Sequence, residues 1–160
     1  MKVIVYTGDN GFAQVLTPVY PEQFNEESEA QLLERLQQKD VPTYSDGSQR
    51  KSFIKDASSP EIIRMGTMYE SWKLAEDGSL YWDHEAGKAL KKREFRFIRK
   101  PLLERLDVEF MRSLELGDLT ATKAIAAKKQ ALRDVTLIDL SEYDTPEKLN
   151  AFIPEVLRNL

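Results

Sequence analysis

His84 is the single histidine of a 160-residue chain that contains no cysteine. Imidazole acid–base catalysis, a Ser-His-acid relay or an imidazole metal site would all have to run through it. It lies beside Asp83, at the first turn of a predicted helix, where an exposed helix-end residue fits better than a catalyst. The carboxylates Glu26-Glu27, Glu61, Glu70, Glu76 and Asp77 could in principle offer an acid–base pair. No spacing among them brings two together, and solvated helix and turn surface accounts for them. A phosphate-cradling reading of Gly8-Asp9-Asn10-Gly11 fails because no Lys-Ser/Thr follows and no helix starts there. Sequence reasoning therefore names no catalytic, cofactor-binding or metal-ligating residue and expects no enzyme and no cofactor.

Recognition chemistry is better represented. Residues 88–100 hold seven Lys and Arg, interrupted by Phe95, Phe97 and Ile98. On a helix, Lys88, Lys92, Arg96 and Arg99 fall along one side. Basic residues with interleaved aromatics can grip nucleic acid, but the plainer reading is a solvated face whose long stems cover apolar surface. An electrostatic landing strip for an acidic protein partner ranks above nucleic acid. Around a second turn, Tyr69, Trp72, Tyr81 and Trp82 cluster. Such aromatics are ordinarily core, and are also the residues that anchor interface centres. The candidate partner-binding set is thus Lys88, Lys92, Phe95, Arg96, Arg99, Trp72 and Trp82.

The element that must position the strip is a helical hairpin over residues 83–135. Leu103, Leu106, Phe110 and Leu114 recur at steps of three and four, widened by Leu102 and Met111, which marks one buried helical face. Gly117 sits where a left-handed residue ends a helix, and Asp118 or Thr120 can cap the next one. Ala121, Ala124, Ile125, Leu132 and Val135 form a narrower facing stripe. Run straight from 83 to 116, the first helix spans roughly 50 Å. Pro101 is expected to kink or divide it, or one end meets another chain.

Upstream, the β-branched run Lys2–Tyr6 and the alternating Phe12–Leu16 flank an Asn-Gly turn, a β-hairpin signature closed by Pro18 and Pro21. Residues 25–39 predict a thin amphipathic helix with Leu32, Leu33 and Leu36 as its apolar side and Ser28 with Gln31 as a capping box. Asp46-Gly47 marks a turn, residues 51–55 a short strand, and Ser59-Pro60-Glu61 a one- or two-turn helix. Residues 68–75 and 79–82 flank Glu76-Asp77-Gly78 as a second hairpin. Leu137, Ile138 and Leu140 predict a short extended return, and Thr145-Pro146-Glu147 a brief last helix that Pro154 interrupts. The expected fold class is α+β: a mixed region with β-hairpins over 1–82, then a long helix and antiparallel helical hairpin over 83–160.

Composition limits the alternatives. At 41% hydrophobic and 31% charged, the apolar fraction is low for a compact chain, so an elongated or partner-completed molecule is expected. The net charge of −4 argues against a general nucleic-acid binder. Absence of cysteine removes a disulfide framework and thiolate zinc sites. No window approaches a membrane span and the first residues lack a signal-peptide run, so the expectation is a soluble cytosolic protein.

Three segments carry a resemblance: 99–118 (RKPLLERLDVEFMRSLELGD), 126–135 (AAKKQALRDV) and 144–157 (DTPEKLNAFIPEVL). They resemble the C-terminal part of phage tail proteins of the tail fibre assembly, or tail assembly chaperone-like, group. The matching features are Leu106-Asp107 near the end of a long helix, Leu132-Arg133-Asp134 closing a second one, and Thr145-Pro146-Glu147 leading to the close. Phe152-Ile153-Pro154 stands where that group has Trp-Pro or similar. Tyr69–Trp72 (YESW), with Asp83, Ala86, Lys88 and Ala89 after it, is similar to the group's aromatic-Trp segment, with Met68-Tyr69 in place of its Phe-Arg. Residues 1–60 carry no motif of the group. The resemblance implies a non-enzymatic accessory that binds a tail fibre or other tail or baseplate protein, with a homo-oligomer compatible. Its place would be the host cytoplasm during assembly, or the virion tail if it stays there as a fibre-to-baseplate adaptor.

Overall fold

The computed structural model describes residues 1–20 and 27–158; the expectations placed on Pro21, Asn25 and Glu26 lie outside them. The chain is α+β and divides into two units, Met1–Ala86 and Gly87–Leu160, slightly later than the expected boundary after residue 82.

In the first unit, β1 (Lys2–Thr7) pairs antiparallel with β2 (Ala13–Leu16) on one side and β3 (Ser52–Asp56) on the other. Val5 lies opposite both Val15 and Phe53. A central strand covered on both faces must be apolar at every position rather than alternating. Accordingly Val3 and Val5 pack with Ala13, Met65 and Trp72 on one face, while Ile4 packs with Leu33 and Val41 on the other. The second face is covered by α1 (Glu29–Lys39), whose capping box forms as expected between Ser28 and Gln31. Met65 belongs to α2 (Pro60–Met65), a short helix with proline in its first turn.

The second hairpin, β4 (Trp72–Leu74) and β5 (Leu80–Trp82), is shorter than expected. Tyr69–Ser71 is a 3-10 turn rather than strand, entered through Met68 in the left-handed region at φ 56°. Ser71 explains the change. Its buried hydroxyl donates to the Met68 carbonyl (2.5 Å) and accepts from Trp82 Nε1 (3.0 Å), which a strand residue could not do together. Gly78 must be glycine: its φ is +88°, and a Cβ there would lie 2.5 Å from the Phe53 ring.

α3 (His84–Glu115) begins in the first unit and continues through the second, about 48 Å of helix. Pro101 lies inside it and does not divide it. Gly117, at φ +66°, turns the chain, and Asp118 caps α4 (Leu119–Asp134) by accepting from the Ala121 N–H at 2.9 Å. The two helices run antiparallel. Ser113 Oγ meets Thr122 Oγ1 at 2.9 Å, Asp107 pairs with Lys129 at 2.5 Å, and Arg99 donates to the Arg133 carbonyl at 2.7 Å.

The core of this unit includes Phe95, Leu106, Leu132, Val135, Leu140 and Leu149. Leu103 and Phe110 are half-buried, but Met111 and Leu114 of the expected stripe are exposed. Close to the corner the helices approach through Ser113 and Thr122, so the larger neighbours turn outward. After α4, Val135–Leu137 is a 3-10 turn and no extended return forms. Thr145 then caps α5 (Pro146–Ala151), and after Pro154 comes α6 (Glu155–Arg158). Phe152 bridges back, stacked on Tyr143 (4.4 Å) and edge-on to Phe95 (6.1 Å).

Candidate protein-interaction surface

The basic run occupies the part of α3 that carries Phe95 into the core, so each side chain's environment follows from its place on the helix. Phe95 is fully buried and is withdrawn from the partner-binding set. Lys91, one turn earlier, is also buried, which the expected solvated strip did not foresee. Its Nζ donates to the Asn150 carbonyl at 2.8 Å and pairs with Glu94 at 2.9 Å. A buried ammonium is tolerated only with such partners. Arg99 is likewise committed: it donates to the Leu132 and Arg133 carbonyls at the end of α4, where a cation complements the helix dipole. It is a clasp between helices before it is a docking residue.

Lys88 and Lys92 are half-buried and Arg96 is exposed. Asp139 answers the first two. Its carboxyl is held below the usual range first by the Ser141 hydroxyl and backbone N–H, with attraction from Lys88 and Lys92 added. The strip is therefore a narrower basic edge than the sequence implied, with Arg93, Arg96 and Lys100 its exposed charges.

In the first unit, Trp72 and Trp82 are brought together as cross-strand partners. Trp72 is buried with its Nε1 bonded to the Thr67 carbonyl at 2.9 Å, so it is core and leaves the candidate set. Trp82 is half-buried, its Nε1 on Ser71. His84 is not the exposed helix-end residue expected. It is half-buried against the Trp82 ring, centroids 5.0 Å apart, and its Nε2 is buried without a hydrogen-bond partner. Asp83 caps α3 through the Ala86 N–H (3.0 Å) and pairs with Lys73 (2.5 Å); together, Lys73 first, these hold its carboxyl below the usual value.

Two features escaped sequence reasoning. Arg50 is buried and donates to the Thr7 and Thr43 carbonyls and to Asp9, fastening the loop before β3 to the β1–β2 turn. No local spacing signals it, because Thr7 and Asp9 lie 43 and 41 positions away in the chain. The second is apolar. Phe97 is 81% exposed, and Val108 and Met111 are more than half exposed, on the side of α3 away from Phe95 and Leu106. Here part of the signal was present: Leu90, Phe97 and Met111 keep a seven-residue register that the charged Glu104 interrupts.

Among the described residues, no group of three or more His, Asp or Glu is arranged to hold a metal ion, and no helix is long and apolar enough to cross a membrane. No family model matches the chain, and neither the curated proteins nor the solved structures compared with it give a match.

Proposed function

We propose that the chain is a non-enzymatic phage tail protein that binds a tail fibre or other tail protein and assists its assembly or attachment. The observation carrying this reading is where the resembling segments fall. Residues 99–118, 126–135 and 144–157 correspond to the second half of α3 with its closing corner, the second half of α4, and the α5–α6 tail, all within the unit Gly87–Leu160. The three longer segments thus share one folded unit, while the shorter match at Tyr69–Trp72, Asp83 and Ala86 lies in the other. The basic edge of Lys88, Lys92 and Arg96 fits the same reading by supplying attraction toward an acidic partner surface. Each exposed ion pair contributes only about 0–1 kcal/mol, so the edge would speed and orient encounter more than hold the complex.

Co-expression with a phage tail fibre polypeptide, followed by size-exclusion mass measurement, tests the proposal. One particle heavier than either chain alone is expected, and separate elution of the two would overturn it. Stoichiometric copies in washed virions would make the protein a permanent adaptor joining fibre to baseplate; absence from them would make it an assembly factor.

A further inference from the structure

The apolar residues of α3 lie on two opposite sides. At 3.6 residues per turn, Leu90, Phe97, Val108 and Met111 fall within about 60° of one another, roughly 180° from the buried Phe95, Leu106 and Ser113. A solvated helix needs one apolar face; a second one implies a second surface to cover. The outer face is also contoured: Leu90, Arg93, Glu94 and Phe97 line an open groove of about 430 Å³.

Charge identifies what fits there. From His84 to Lys100, α3 has seven basic and two acidic residues; from Pro101 to Glu115 it has two basic and four acidic. Lys88, Lys91, Lys92 and Arg99 fall on the inner side with Phe95, so the outer side itself carries Arg93, Glu94 and Lys100 before Pro101 and Glu104, Arg105, Arg112 and Glu115 after it. A copy laid antiparallel sets Lys100 of one chain near Glu104 of the other and Glu94 near Arg112, whereas a parallel copy sets each charge beside its own counterpart.

We propose that the outer face of α3 binds the same face of a second copy of this chain, antiparallel, about a two-fold axis between Pro101 and Glu104. In that arrangement Phe97 of one copy meets Val108 of the other, Met111 enters the groove beside Phe97, and Lys100 faces Glu104 twice by symmetry. A two-helix interface lies at the small end of stable contacts, so dissociation is expected near micromolar concentration. This inference does not rest on the tail-protein reading, since it concerns the chain alone.

Sedimentation equilibrium of the full chain from roughly 1 to 200 μM tests it. The expected species is a dimer of two 18.4 kDa chains. Phe97→Ser should weaken association at least tenfold and, because Phe97 is solvent-exposed in the single chain, leave the thermal melt unchanged at concentrations below the parent's dissociation constant. Lys100→Glu and Glu104→Lys should each weaken self-association, and an equimolar mixture of the two should recover it as a mixed dimer. Since the chain has no cysteine, oxidising a mixture of Phe97→Cys and Val108→Cys copies should cross-link 97 to 108. A monomer throughout the range would overturn the proposal. So would a Phe97→Ser variant that associates as tightly as the parent, charge variants that do not recover on mixing, or preferential 97-to-97 cross-linking.

Discussion

Lys91 and Lys92 are adjacent and chemically identical, yet one is sealed in the core and the other lies on the basic edge. Lys91→Met keeps the apolar stem and leaves the Asn150 carbonyl without its donor, which should cost about 1–3 kcal/mol. Lys92→Ala should fall within about 0.5 kcal/mol of the parent; urea denaturation distinguishes the two. The contrast shows what the residue scale hides in a sequence. A periodicity can place Lys91 near the apolar side of a helix, but its partner is a carbonyl 59 positions away. Phe95 escaped for a related reason: within a basic run it reads as an interleaved aromatic, although its own helical face is the buried one. Asp83 gives a pH dependence. Its folded carboxyl is depressed, chiefly by Lys73, so its charged form stabilises the fold above the usual carboxylate value and that contribution is lost as pH falls through the folded value. Below about pH 4 the parent's melting temperature should drop more steeply than that of Asp83→Asn, which has no such charge to lose.

At the scale of elements, most boundaries were legible because local chemistry sets them. The Ser28–Gln31 capping box, Gly117 at positive φ, the Asp118 cap and the Thr145-Pro146 start all act through neighbours within a few residues. Asp118→Ala should accordingly cost about 1 kcal/mol in a thermal melt. What local chemistry left unread were segments governed by distant bonds, such as the 3-10 turn held by Ser71 and Trp82. The depth of each hairpin position was also hidden. Leu106 is 2% exposed, so Leu106→Ala should cost about 2–5 kcal/mol. Phe110 is half-buried with Lys129 Nζ 4.7 Å from its ring centre, so a carboxylate there finds a cation, and Phe110→Asp should be milder than Leu106→Asp. Pro101 interrupts the backbone bonding of an exposed stretch of α3 without ending the helix. Pro101→Ala restores an N–H there and should raise stability, by up to about 3 kcal/mol.

For the molecule as a whole, the α+β class followed from patterning alone. The surface did not, because burial of Phe95 and Lys91 is decided by packing partners that no spacing specifies. What remains accessible on α3 is a basic edge and, on another side, an apolar stripe. The account assigns the edge to a tail partner and the stripe to a second copy, and the edge can be tested directly. Titration of the fibre polypeptide onto the parent protein and onto Lys92→Glu/Arg96→Glu, at low and at high salt, measures its contribution. The account predicts binding by the parent that weakens with salt and at least a tenfold loss in the double variant. Equal affinity of parent and variant, or no binding by the parent at any salt, would contradict it.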